Sequence, residues 1–294
     1  METKILKGKP VADSIKSHLS IEIGELASNG IIPGLAAVLV GNDQASEVYV
    51  RSKARAFEKL NCFSETFRLN EDAKEFEVIS LIHQLNQDSK FHGILVQLPL
   101  PKHLDSQKIL SEVSPKKDVD GFHPVNLGSL LEGNPNFIPC TPNGIIEILK
   151  YYKIKTEGKH AVIVGRSNIV GKPMFALLAQ KMEMGNATVT ICHTRTRDIS
   201  YFTKQADIII AASGVPELIT GKMIKEGVDI IDVGINRVDD DSEKGYHLVG
   251  DVDFDGVQAI AGSVTPVPGG VGVMTITMLL SNTVKSAKRS MENC

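Results

Sequence analysis

The stretch from Lys159 to Pro173, Lys-His-Ala-Val-Ile-Val-Gly-Arg-Ser-Asn-Ile-Val-Gly-Lys-Pro, limits the choice of fold more than any other. Residues 161–164 form a short apolar run rich in β-branched side chains, which reads as a strand buried on both faces, as in parallel sheets. Gly165 ends it. Pro173 suits the first turn of a helix, and residues 174–181 continue with good helix formers and an apolar face. Such a strand–turn–helix unit aims free backbone N–H groups and the positive helix end at an anion. The dinucleotide fingerprint G-x-G-x-x-G is present here as Gly165-x-Ser167-x-x-Val170-Gly171, with serine for the second glycine and the last glycine one residue late. Taken alone, it fits a purely structural turn equally well.

The remainder of the second half favours a nucleotide. Further strands are expected at 188–192, 208–211, 230–233 and 259–262, with helices between them. The turns Ser213-Gly214-Val215-Pro216 and Gly234-Ile235-Asn236 come after the third and fourth strands. Doubly wound sheets bind ligands at that carboxyl edge. The second strand ends Cys192-His193-Thr194-Arg195-Thr196-Arg197, with no carboxylate before Asp198. Hydroxyls and guanidiniums there, with Arg166 nearby, suit the 2′-phosphate of NADP, whereas NAD calls for an acidic residue. The alternative is a solvated basic turn. Polar residues 239–241 and 243–245 suggest an exposed hairpin. A helix over 273–289, apolar at Met274, Ile276, Leu279, Leu280 and Val284, is long enough to return to the first domain.

The first half also alternates strands and helices. Helices are expected at 11–29, 46–60 and 73–86, the last with Phe76, Ile79, Ile82 and Leu85 on one face. Strands are expected at 35–40, 63–69 and 93–98. This is an α/β layer. Residues 114–141, rich in Pro, Gly, Asp and Asn, read as a long ordered loop, and loops of that length are usually functional. A helix over 142–153 links the halves. The fold class is therefore α/β, with two α/β domains, the second a Rossmann-type doubly wound parallel sheet. Residues 1–140 form the first, 141–272 the second, and the helix over 273–294 packs back on the first.

The 294 residues, 42% hydrophobic and 23% charged, suffice for two ordinary globular domains, and a net charge of −3 gives no sign of a nucleic-acid partner. No run of about 18 apolar residues marks a membrane span, and the N-terminus lacks the apolar core of a signal peptide. Cys62, Cys140, Cys192 and Cys294 are too scattered for a metal site and read as free thiols of a cytoplasmic protein.

Tyr49 and Lys53, four residues apart, share a helix face. Gln97 ends an apolar strand, and Asp120 lies in the Gly/Pro loop. Each has a plain structural reading, as surface pair, turn former or capped core residue. Together a phenol, an amine, an amide and a carboxylate near strand ends make a proton-handling site.

Tyr49-Val50-x-x-Lys53, the run from Gly93 through Gln97-Leu98-Pro99 to Pro101, Lys117-Asp118-Val119-Asp120-Gly121, Pro139-Cys140-Thr141-Pro142, Gly165-Arg166-Ser167-x-Ile169-Val170-Gly171 and Pro268-Gly269-Gly270-Val271-Gly272 occur in order along nearly the whole chain. In these motifs the chain resembles the bifunctional methylenetetrahydrofolate dehydrogenase/methenyltetrahydrofolate cyclohydrolase family, which also has serine at the place of Ser167. The resemblance implies a homodimer with a folate cleft between the two domains, with Tyr246–Val249 in the hairpin taken as part of the interface. It implies NADP-dependent oxidation of 5,10-methylenetetrahydrofolate, then hydrolysis to 10-formyltetrahydrofolate, in one-carbon and purine metabolism. Lys53 would transfer protons, Tyr49 position it, Gln97 orient it and Asp120 hold the pterin. Leu98 and the loop Pro268, Gly269, Gly270, Val271 would line the folate site. Gly165, Arg166, Ser167, Thr194, Arg195, Ile235 and Thr141 would meet the cofactor, and no metal is implied. Val273 stands where that family usually has proline, which leaves the start of the last helix less rigid; Thr194 replaces a common serine and keeps the hydroxyl. A dehydrogenase-only member, another NADP-dependent reductase and a non-catalytic NADP-sensing module remain alternatives, the last needing neither Lys53 nor Asp120.

Overall fold

The computed structural model describes residues 2–241 and 245–292; Met1, the expected hairpin tip at Glu243-Lys244 and the Cys294 thiol lie outside the described residues. The chain divides into two compact units. One comprises Met1–Asp13, Leu130–Gly133 and Thr141–Thr275, the other Ser14–Ser129, Asn134–Cys140 and Ile276–Cys294.

In the second of these, three parallel strands run in the order Phe63–Leu69, Gly34–Val40, Gly93–Val96. Gly34–Val40 is central and buried throughout, which is why it reads as an unbroken apolar run, whereas the edge strand Phe63–Leu69 alternates. Lys117 extends the sheet: Ile94 donates its N–H to the Lys117 carbonyl at 2.8 Å, and Asp118 bridges to Ile94. Asp120 therefore comes after a strand-like segment beside Gln97. Helices Gln44–Glu58 and Glu75–Gln87 cover the sheet. Glu75–Gln87 buries Val78, Ile82 and Leu85, while Phe76, expected on that face, is exposed. Two residues from Val78 is more than half a turn away, so both cannot face inward. The expected loop 114–141 contains a helix, Pro124–Leu131. Asn126 and Gly128 depress its propensity, and Asp118 anchors its entry through the N–H groups of Phe122 and His123.

The other unit is a wholly parallel six-stranded sheet ordered Lys4–Ile5, Ser263–Val264, Asp229–Asp232, Ile208–Ala211, His160–Val164, Thr188–Cys192. Strand order reverses at His160–Val164, whose carboxyl end is thus the switch point where doubly wound sheets take ligands. The strand expected at 259–262 is instead Ser263–Val264, with residues 258–260 turning ahead of it. It pairs with Lys4–Ile5, so residues 2–13 fold with this later unit although the sequence groups them with 1–140. A two-residue strand has no period to read. Asn236–Asp239 and Tyr246–Val249 form the expected antiparallel hairpin.

Candidate active site

Asp43 caps helix Gln44–Glu58 by accepting the Ser46 N–H at 2.7 Å. One stripe of this helix is turned inward: Ser46, Val50, Lys53 and Phe57 are all buried. Lys53 is thus a charged residue in an apolar stripe, only 4% exposed. Its Nζ donates to Gln97 Oε1 at 3.0 Å and lies 4.4 Å from the centre of the Tyr49 ring. Gln97 Nε2 donates to the Leu98 carbonyl at 2.6 Å, so the amide presents its oxygen to the amine; the Leu98–Pro99 peptide is cis. Burial pushes the Lys53 amine below its usual range, partly offset by the Asp120 carboxylate.

Burial likewise pushes the Asp120 carboxyl up, opposed by Lys53. Both shifts favour the neutral forms. Cys140, fully buried, interacts with Asp120 and donates its thiol to the Val119 carbonyl at 3.4 Å; its pKa is raised well above the ordinary value by burial and by that carboxylate. Asn282, on helix Val271–Glu292, donates Nδ2 to the carbonyls of Val119 at 2.8 Å and Ile138 at 3.0 Å. The backbone carrying Asp120 is therefore held by two side chains remote in sequence.

At the switch point, Gly165 has φ +138, and a Cβ there would strike the Ala212 carbonyl. Gly171 is equally required: a Cβ would stand 2.8 Å from Arg166 Cα, so the helix packs directly on the turn. The expected free N–H groups at the helix start are in fact used. Ser167 Oγ accepts from Val170 at 3.0 Å and from Gly171 at 3.5 Å, the Ser167 carbonyl accepts from Lys172 at 3.0 Å, and Gly165 donates to Cys192. Within this turn, the N–H groups without an acceptor among the described residues are those of Arg166 through Ile169, in the loop itself. Arg166, Thr194 and Arg195 are exposed beside this edge, the last two closing a turn in which Arg195 donates its N–H to His193 Nδ1 at 3.1 Å. Open N–H groups, a glycine cradle and exposed guanidiniums fit a phosphorylated nucleotide.

Two buried carboxyl groups stand behind this edge. Asp232 accepts the N–H groups of Gly234, Asp251 and Val252 at 3.0, 2.9 and 3.1 Å. Asp251 accepts from the turns after two other strand ends.

Family models match both parts of the chain: "Tetrahydrofolate dehydrogenase/cyclohydrolase, catalytic domain" over residues 6–120, and "Tetrahydrofolate dehydrogenase/cyclohydrolase, NAD(P)-binding domain" over residues 139–291. The chain belongs to the tetrahydrofolate dehydrogenase/cyclohydrolase family. It is 52% identical to the bifunctional protein FolD of Acetivibrio thermocellus over 98% of both chains, and 54% identical to that of Moorella thermoacetica over 98% of this chain and all of the other. The crystal structure of the bifunctional enzyme FolD from Campylobacter jejuni superposes with a TM-score of 0.93 at 49% identity, covering 98% of this chain and 99% of the other. The Trypanosoma brucei methylenetetrahydrofolate dehydrogenase-cyclohydrolase, complexed with NADP cofactor and inhibitor, gives 0.93 at 38% identity over 99% of each.

In this member of the tetrahydrofolate dehydrogenase/cyclohydrolase family, Tyr49, Lys53, Gln97, Leu98 and Asp120 all fall in the three-stranded unit. The positions Thr141, Gly165, Arg166, Ser167, Thr194, Arg195 and Ile235, together with Pro268 to Val271, fall in the six-stranded unit. Thr141 Oγ1 meets Thr275 Oγ1 at 3.0 Å; the Gly269 carbonyl accepts the Gly8 N–H at 2.8 Å; exposed Ile235 sits against Gly272. Val273 lies in the first turn of helix Val271–Glu292. Sequence reasoning missed Cys140, set aside as a spare thiol, and Asn282, Asp232 and Asp251. The available signals were an amide within the apolar run of the last helix and carboxylates at strand ends. Cys62, Cys140 and Cys192 are free thiols, as expected. Among the described residues no group of side chains could hold a metal, and no helix is long and apolar enough to cross a membrane.

Burial raises the Asp232 pKa to about 7 despite its three N–H donors. Between its ordinary value of 3.8 and about 7 the folded state therefore binds the extra proton, and folding stability from this group falls as pH rises. Relative to Asp232→Asn, the wild type is expected to lose stability by about 1 kcal/mol per pH unit from pH 5 to 7. Urea unfolding of both proteins at pH 5, 6 and 7 measures this; a stability gap that does not change with pH contradicts it.

Proposed function

We propose that this chain oxidises 5,10-methylenetetrahydrofolate with NADP and hydrolyses the resulting 5,10-methenyl cation to 10-formyltetrahydrofolate. The observation that carries the reading is the buried Lys53 amine, held by Gln97 and shifted toward neutrality, with the Asp120 carboxyl that burial likewise shifts toward its neutral form. NADP, when bound, supplies the hydride acceptor; the oxidation itself asks the protein chiefly for proximity. The loop N–H groups of Arg166 to Ile169 would hold its phosphates, and Arg166, Thr194 and Arg195 its 2′-phosphate.

Hydrolysis asks for more. Water adds to the methenyl carbon, and the neutral Lys53 amine takes a proton as the C–O bond forms. The resulting ammonium returns that proton to the ring nitrogen as its bond to the carbon breaks. The remaining hydroxyl proton leaves as the formyl C=O forms, so one proton is released per turnover. Gln97 Oε1 aims the amine, Tyr49 packs against it, and Asp120 stabilises the ammonium while holding the pterin by its polar edge. A non-catalytic NADP-sensing module would have no use for a desolvated lysine, and a dehydrogenase-only member none for its proton transfer.

Mixing NADP and 5,10-methylenetetrahydrofolate with the protein tests the reading directly. The methenyl chromophore should rise and then decay; a rise without decay identifies a dehydrogenase only, and no rise removes the reading. The protein acts as a homodimer in the cytoplasm, supplying formyl groups to reactions such as those of purine biosynthesis. Free Cys62, Cys140 and Cys192 suit a reducing compartment. The strand Tyr246–Val249, at the margin of a two-stranded hairpin with Leu248 37% exposed, supports its place in the dimer contact. Sedimentation equilibrium at micromolar concentration should return twice the chain mass; a monomer would remove the dimer.

A further inference from the structure

The six-stranded unit holds a carboxyl group that hydrogen-bonds to none of the expected cofactor residues yet ties the turn beside Gly165 to the residue that follows Ile235. Asp251 is fully buried. Its Oδ2 accepts the Ser213 N–H at 2.5 Å, the Ser213 hydroxyl at 2.9 Å and the Gly214 N–H at 2.8 Å. Its Oδ1 accepts Asn236 Nδ2 at 2.9 Å. All four donors are neutral. A carboxyl group buried with no cation against it among the described residues is a poor way to gain stability, since an apolar side chain of similar volume usually does as well. Its four bonds do something an apolar group cannot: they fix the orientation of particular N–H groups.

The location gives those bonds a use. Ser213 comes directly after Ala212, whose carbonyl roofs Gly165 and whose strand pairs Ala211 with Val164. The Ser213–Gly214 turn thus stands beside the Gly165 turn at the switch point. Asn236 comes directly after Ile235, which is 59% exposed at the same edge. Asp251 in turn is set by Asp232, which accepts its backbone N–H and that of Val252. Gly234 and Gly250 leave room for the two carboxyl groups, since a Cβ on either would strike one of them.

We propose that Asp251 is a positioning residue for the dehydrogenase reaction: through Ser213, Gly214 and Asn236 it holds the turns that follow the two strands on one side of Gly165 in the shape that binds the nicotinamide nucleotide. The inference rests on the reading of this edge as the NADP site. It acts on cofactor affinity and on nothing in the Lys53 site.

Initial-rate kinetics on the full-length Asp251→Asn and Ser213→Ala proteins test it, with NADP affinity measured separately by calorimetry. Asp251→Asn removes the charge that strengthens the bonds to the Ser213–Gly214 turn; Ser213→Ala removes one of the four bonds and leaves the fold's other contacts to Asp251 in place. The expected result is a rise in KM and Kd for NADP of roughly tenfold in Asp251→Asn and roughly threefold in Ser213→Ala, with KM for methylenetetrahydrofolate unchanged. A residue that serves only folding would instead lower kcat, through a smaller active fraction, at unchanged NADP KM, and that result overturns the proposal. Should Asp251→Asn fail to fold, Ser213→Ala decides alone, and an unchanged NADP KM in it is equally fatal. Wild-type protein that fails to bind NADP would overturn the cofactor reading itself, whereas normal wild-type binding with unaffected variants overturns only the role of Asp251.

Discussion

Lys53→Met should lose cyclohydrolase activity by at least about 100-fold, the low end of general acid–base catalysis, while dehydrogenase activity falls less. Methionine keeps the unbranched stem that packs among Val50 and Phe57 in the buried stripe, and it lacks the amine that meets Gln97 Oε1. Removing the amine also leaves the Gln97 oxygen and the Asp120 carboxyl without their opposing charge, and burial already pushes Asp120 up. The variant therefore carries a neutral Asp120 over more of the pH range, and any residual hydrolysis should lose the pH dependence that a lowered lysine pKa imposes on the wild type. Hydride transfer has no proton to move and depends on how the folate is held. Both activities are to be measured on one purified, folded preparation, with preformed methenyltetrahydrofolate for the hydrolysis. Near wild-type hydrolysis would make Lys53 a binding residue and place proton transfer elsewhere.

Arg166→Ala should raise KM for NADP by about 10–150-fold, since one lost charge-assisted contact is worth roughly 1.5–3 kcal/mol. The side chain is exposed next to Gly165, so truncation leaves the cradle's backbone unaltered. NAD, with no 2′-phosphate, should bind the variant much as it binds the wild type. The ratio of the two KM values is the readout, taken at fixed ionic strength because an exposed charge is screened by salt. Equal changes for both nucleotides would show that Arg166 does not read the phosphate.

Within the sequence alone, the short-range physics is plain. The runs at 161–164 and 208–211 are wholly apolar because inner parallel strands are buried on both faces, whereas the edge strand Thr188–Cys192 alternates threonine with apolar residues. Gly165 is demanded by a positive φ and a carbonyl in the place of its Cβ. Tyr49 and Lys53 are neighbours because helix geometry spaces them so. Periodicity, glycine conformation and capping act over a few residues, and a chain read in order exposes them.

Tertiary structure decided the rest. That Lys53 is buried rather than solvated, and meets Gln97, depends on which helix stripe faces the sheet. That Asn282 clamps the segment carrying Asp120 joins positions 163 residues apart. That Lys4–Ile5 completes the nucleotide-type sheet, and that Asp232 and Asp251 brace its turns, is set by strand order, which no local pattern encodes. Local preference selects the elements; the pairing of distant segments is selected by how all of them bury apolar surface and satisfy polar groups at once. A buried carboxyl or amide therefore acquires its partners only in the assembled fold.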